Sequence, residues 1–136
     1  MNRTFINPEK LPDWSGMFSQ VVTVEKNGLK FIHVSGQVGV DASKSLVGSG
    51  NFGEQTMQAL INLKFALESA GVRMTDVCKL RIYVVNYESI HASIIREALR
   101  DAFVIHRLPA LSLIGVAALA DERFLIEIDA DAIAEV

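Results

Sequence analysis

An α+β architecture, one mixed sheet of about six strands with two helices packed on one face, follows from three features of this 136-residue sequence. Short β-branched runs lie toward both ends, two stretches carry apolar residues at helical spacing, and another β-branched run separates those stretches. The order strands, helix, strand, helix, strands favours a single sheet with the helices laid against it. Half of the residues are hydrophobic and 21% are charged, so residues 1–136 are expected to fold as one domain without disulfides or metal.

Residues 21–24 and 30–35 are apolar and β-branched, and Lys26-Asn27-Gly28 between them has the turn chemistry of a hairpin. The stretch 41–53 is rich in Ser and Gly; Asn51, with Glu54 three residues on, has the form of a helix N-cap with its reciprocal acceptor. Met57, Leu60, Leu63, Leu67 and Ala70 keep one apolar stripe, and Gly71 stands where a left-handed cap is expected. Residues 77–85 read as a strand. Ile90, Ile94, Ala98, Leu99, Ala102 and Phe103 trace a second helix, with Arg96, Glu97, Arg100 and Asp101 on its wet side and Pro109 beyond its end. Residues 111–116 and 124–132 close the sheet around the polar turn Asp121-Glu122-Arg123.

Counting faces suggests a partner. Residues 82–85 and 113–114 put apolar groups on both sides of their strands, yet two helices cover only one side of a sheet. The bare side is expected to be buried against further copies of the chain.

Charge and cysteine content narrow the function. The net charge of −3 leaves no basic footprint for nucleic acid. A single cysteine, Cys78, fits a reducing compartment, so a cytoplasmic location is expected, and on its strand it reads as a small buried packing residue. Neither a signal peptide nor a membrane-spanning run is visible; the apolar run 108–120 is broken by Pro109 and Gly115.

Four constellations could carry chemistry. Gly48-Ser49-Gly50-Asn51-Phe52-Gly53 spells G-x-G-x-x-G, but the residues before it are polar instead of a buried strand, which favours a loop and helix cap over a nucleotide site. His33, His91 and His106 lack metal-ligand spacing, so no metal is expected; no G-x-S-x-G elbow supports a serine nucleophile. Glu127, Asp129 and Asp131 alternate with Ile126, Ile128 and Ala130, lining one face of the last strand. That row is either a solvated edge or, if it looks toward a partner subunit, a source of a desolvated acid suited to proton transfer. Glu127 is the best candidate for that role.

Phe18-Ser19-Gln20, Val34-Ser35-Gly36-Gln37, Glu54-Gln55-Thr56, Gln58-Ala59-Leu60, Asn62-Leu63, Ala70-Gly71, Asp76-Val77 with Lys79, Leu108-Pro109-Ala110 with Ser112, and Ile126-Glu127-Ile128 stand in order over most of the chain. Together they resemble the RidA/YjgF family. The resemblance implies a chorismate-mutase-like fold, a homotrimer and small-molecule clefts between subunits. Members of that family hydrolyse reactive enamines and imines, such as 2-aminoacrylate and its imine tautomer, to 2-keto acids and ammonia without a cofactor. In them an arginine in a Pro-Ala-Arg-Ser segment clamps the substrate carboxylate, the glutamate of the last strand handles the attacking water, and a Ser-Gly-Gln segment lines the pocket.

Carried over residue by residue, the resemblance makes Glu127 the catalytic glutamate that handles the water and Ser35, Gly36 and Gln37 the pocket lining. The arginine position is Leu111, and Phe18 stands where tyrosine is usual. An isobutyl group cannot replace a bidentate guanidinium. Either Arg107, four residues before Leu111, swings in to hold a carboxylate, or the ligand is uncharged or apolar at that end; the sequence favours the second. The leading expectation is a trimeric, cofactor-free hydrolase acting on an imine, enamine or related C–N bond. The alternatives are a non-catalytic small-molecule binder or sensor, and the RNA-cleaving or translation-inhibiting activity of some relatives, which the acidic balance disfavours.

Overall fold

The structure is a computed structural model that describes all of residues 1–136. A short strand, β1 (Asn2–Ile6), pairs antiparallel with β2 (Val21–Lys26), which a tight turn joins to β3 (Leu29–Gln37). At that turn Asn27 and Gly28 take positive φ (54° and 79°), matching the right-handed twist of the strands it connects. β1 is absent from the sequence reading because its residues are nearly all exposed, leaving no alternation to detect.

Helix α1 (Phe52–Ser69) starts at Asn51, whose side chain accepts a hydrogen bond from the Glu54 N–H at 3.0 Å, and ends before Gly71 at φ 74°. The cap is one-sided: the Asn51 N–H donates to Gly48 O rather than to Glu54. The stripe Leu60, Leu63, Leu67 and Ala70 is buried as expected, whereas Met57 is 63% exposed and belongs to the outer surface. A 3-10 turn, Met74–Asp76, leads into β4 (Val77–Val85). Then come α2 (Ser89–Ala102), β5 (Ala110–Val116) and β6 (Ile126–Glu135).

All six strands form one sheet in the order β1-β2-β3-β6-β4-β5, with β4 and β5 parallel and every other pair antiparallel. The last strand therefore sits between β3 and β4. Reading its carboxylate row as a solvated edge is wrong, because both flanks of β6 are hydrogen-bonded to neighbours.

α1 lies across β3 and β6, and α2 packs beside α1 on the same face. Beneath them Ile32, Leu63, Leu80, Ile82, Ile126 and Ile128 are fully buried in one hydrophobic cluster. Each such side chain contributes about 1.5–3 kcal/mol of burial energy, so this face carries most of the fold's stability. No helix is long and apolar enough to cross a membrane.

Cys78 is exposed, not packed inside. β4 slips by one residue against β6 between Val77 and Lys79, and the extra residue, Cys78, is turned out of the core. Its thiol meets only the Asp131 carbonyl, at 3.3 Å.

Candidate active site on the uncovered face of the sheet

The two-residue period of β6 sends Ile126, Ile128 and Ala130 toward the helices and Glu127, Asp129 and Asp131 to the other face. On β4 the residues opposite those carboxylates are Tyr83, Arg81 and Lys79, and on β3 His33 lies opposite Asp131. No helix covers this side. Exposed Phe5, Ile114 and Ile133 share it, as the face count anticipated.

Arg81 divides the acid row into two kinds of group. Its guanidinium donates to Asp129 Oδ1 at 2.7 Å and to Asp131 Oδ2 at 2.8 Å, and His33 Nδ1 lies 2.8 Å from Asp131 Oδ1. Burial by itself would raise the Asp131 carboxyl, but the bonds from Arg81 and His33 outweigh it and hold the group below its ordinary range. Glu127 has no such partner: it makes neither a hydrogen bond nor an ion pair. Burial first, and then the negative charge of Asp129, push its carboxyl above the ordinary value. The same surroundings, burial above all, raise the Tyr83 phenol.

Gly36 makes room for that carboxylate. β3 and β6 change register between Val34 and Gln37, a bulge that brings the Gly36 backbone under Glu127. A Cβ on Gly36 would stand 2.6 Å from Glu127 Oε2 and 2.8 Å from Cγ, so any side chain there would push the carboxylate out of its place. Ser35, beside it, donates its hydroxyl to Ser19 O at 2.6 Å and its amide to Gln20 O at 2.9 Å, tying β3 to the loop that carries Phe18. Phe18 is 37% exposed, just after the turn of that loop, where its amide donates to Trp14 O at 3.1 Å.

The other expected site residues are not assembled here within one protomer. The bulge turns Gln37 inward, opposite Ile128; it is 2% exposed, and its amide donates to Gln20 Oε1 at 2.8 Å and Ser35 O at 2.9 Å. Gln37 is thus a brace behind the site and does not line it. Leu111 pairs with Leu80, on the helix side of edge strand β5, so it faces away from Glu127. Arg107 is exposed and lines a separate crevice with Met74, Thr75 and Phe103, apart from the one that Leu111 lines. Ser112, in contrast, lies on the Glu127 side, where it accepts a hydrogen bond from Lys79 at 2.9 Å.

Sequence reasoning missed Arg81, Tyr83 and Gln20. For Arg81 and Lys79 a signal existed: two cations at a spacing of two on a strand, able to face an acidic strand of the same period. Nothing in the sequence marks Gln20 as buried. Elsewhere, the Gly48 and Gly50 loop takes positive φ (75° and 67°), and the Glu54 side chain lies over Gly48 where a phosphate would have to enter, in keeping with a loop and cap. His91 accepts from the Glu88 N–H at 2.9 Å and stacks near Phe52, while His106 is exposed in the loop before β5.

The fold and this face define a small α+β protein with one unpaired acid on an open sheet surface. A model of the endoribonuclease L-PSP family matches residues 9–134, and the chain belongs to that family, the one also called RidA/YjgF. Human 2-iminobutanoate/2-iminopropanoate deaminase is 33% identical over 131 residues, covering 96% of this chain and 90% of that protein. A RutC family protein of Pyrococcus abyssi is 30% identical over 128 residues, covering 88% of this chain and 98% of its own. Among solved structures, a putative endoribonuclease of Thermotoga maritima superposes with a TM-score of 0.84 at 33% identity, covering 98% of each chain. The YjgF gene product of E. coli superposes with a TM-score of 0.78 at 25% identity, covering 97% of this chain and 99% of that one.

Proposed function

We propose that this protein hydrolyses the C–N bond of a small imine or enamine, without a cofactor, in clefts between the subunits of a homotrimer. The observation that carries the reading is Glu127: an unpaired, half-buried carboxylate with a raised affinity for its proton, held over Gly36 on a face no helix covers. The family and its curated deaminases support the reaction class.

Such a carboxylate is suited to general base catalysis near neutral pH. Glu127 takes a proton from water as the oxygen attacks the imine carbon, giving a carbinolamine. The carbinolamine then breaks down as its nitrogen gains a proton and Glu127, again the base, removes the hydroxyl proton, so that the C–N bond breaks, ammonia leaves and a carbonyl remains. In this reading the Gly36 backbone, beside Glu127, holds the polar end of the substrate, because the Ser35 amide and carbonyl are already bonded to Gln20 and Gln37.

Phe18 and Leu111 supply apolar walls in this proposal. Leu111 can meet Glu127 only across the β5 edge, from another copy of the chain, which is why the site requires an oligomer. The apolar residues of the open face, Phe5, Ile114 and Ile133, are the surface we assign to that contact. With Leu111 in place of a guanidinium, the preferred substrate has no carboxylate at that end, and Arg107 does not restore one. We place the protein in the cytoplasm, where an exposed thiol such as Cys78 stays reduced.

The test generates 2-iminobutyrate in situ with an amino-acid oxidase, traps unreacted imine with semicarbazide, and runs neutral imines in parallel. Neutral imines should be turned over and 2-iminobutyrate barely so; Leu111→Arg should gain on 2-iminobutyrate, and Glu127→Gln should lose both. Binding of these compounds without turnover would instead support the binder reading, which the absent arginine favours. Sedimentation at micromolar concentration should give three copies, and a monomer would overturn the cleft.

A further inference from the structure

We propose that the Tyr83 hydroxyl is a second group that touches the substrate, donating a hydrogen bond to the imine nitrogen while Glu127 activates the water. The inference rests on the reaction proposed above and adds the residue that steadies its nitrogen.

Tyr83 lies directly opposite Glu127 in the β4–β6 register, so the two side chains leave the open face with their Cβ atoms about 4.5–5.5 Å apart. On the other flank of Glu127 stands Gly36, which has no side chain, and beyond Tyr83 on β5 comes Ile114. The remaining polar side chains of the neighbourhood are committed. The Ser35 hydroxyl donates to Ser19 O, Arg81 binds Asp129 and Asp131, and Lys79 donates to Ser112 further along the strands. Tyr83 is thus the polar side chain next to Glu127 that is left to meet a ligand.

The phenol also has the protonation state a donor needs. Burial, and then the charge of Asp129, hold it above its ordinary value of 10, so the O–H is intact at neutral pH. Asp129 competes for that hydrogen, but Arg81 already donates to its carboxylate at 2.7 Å and neutralises it. An unprotonated imine nitrogen offers a lone pair in the plane of the C=N bond. As water adds to carbon, the π electrons move onto nitrogen, and a neutral donor fixed beside it binds more strongly in the transition state than in the ground state. The phenol keeps its proton throughout; the proton that completes the carbinolamine amine is the one Glu127 took from the water.

The test combines rates with absorbance, because Tyr83 and Tyr87 are the two tyrosines of the chain. Tyr83→Phe keeps the ring and removes only the hydroxyl. It should lower kcat for neutral imines by about 10–100-fold, with KM changed less than about threefold and the urea midpoint unchanged. Tyr87→Phe should keep the parental rate, since Tyr87 packs against Gly115 on the helix side of β5. Acetone oxime, a neutral C=N compound, should shift the tyrosine absorption of the parent and of Tyr87→Phe but not of Tyr83→Phe. Parental kcat in Tyr83→Phe beside an inactive Glu127→Gln would overturn this inference alone. Full activity in Glu127→Gln, or no turnover by the parent, would overturn the reaction instead, and the oxime spectrum then decides the contact: no shift, or a shift that survives Tyr83→Phe, overturns it too.

Discussion

Gly36 lies directly beneath Glu127: a methyl group on its Cα would be 2.6 Å from the carboxylate Oε2. The obstruction is at the flexible end of Glu127, not at its backbone, and Gly36 does not use a positive φ. Gly36→Ala should therefore move the carboxylate and leave the fold nearly intact. The expected result is at least a tenfold loss of imine turnover with a stability change of about 1 kcal/mol or less. A large fall in the urea midpoint would show that the glycine serves the backbone instead.

Glu127→Gln should separate catalysis from stability. Because the folded-state carboxyl is held above its ordinary value of 4.5, the native chain binds that proton more tightly than the unfolded chain does. Stability from this group is full below pH 4.5 and declines as pH rises through the folded-state value. The amide cannot ionise, so at pH 7 the variant should be at least as stable as the parent, with the difference disappearing by pH 4. Turnover should fall by about 10²–10⁴-fold. Urea titrations at the two pH values, beside rate measurements, provide the check.

Arg81→Met should behave oppositely. It leaves Asp129 and Asp131 facing each other without their shared cation. The parent's Asp131, lowered from its ordinary 3.8, contributes stability that is present above that pH and is lost on acidification below it. At pH 7 the variant should lose about 1–2 kcal/mol, less than a fully buried pair because the guanidinium is partly solvated. The deficit should shrink below pH 3.8 as the carboxylates protonate, which denaturation across the acid range would reveal.

Gln37→Leu tests the brace behind the site. Gln20 Oε1 would lose its only side-chain donor in a buried position, while Gln20 would keep its bond to Pro12 O. The expected cost is about 1–3 kcal/mol in urea denaturation. KM should change little, since Gln37 does not reach the open face; a selective effect on KM with unchanged stability would return it to the pocket.

The elements the sequence predicts best are those governed by neighbours in the chain. The Asn27-Gly28 turn, the Asn51 cap, the Gly71 terminator and the inward Ile126 and Ile128 all depend on contacts a few residues apart, so their signals are written locally. Cys78 and Gln37 went astray for one shared reason. Each lies where a strand changes register against β6, and one inserted residue reverses which face the following side chains occupy.

Composition and spacing alone determined the α+β architecture, the helix-covered core and the alternating acids of the last strand. Only the tertiary structure decided that β6 is central, that Arg81 neutralises Asp129 and Asp131 while Glu127 stays alone, and that Leu111 and Arg107 line different crevices. Those outcomes depend on pairings between residues tens of positions apart. Local periodicity tells a strand which side chains alternate, but it does not say which strand will lie beside it or which charge will be there.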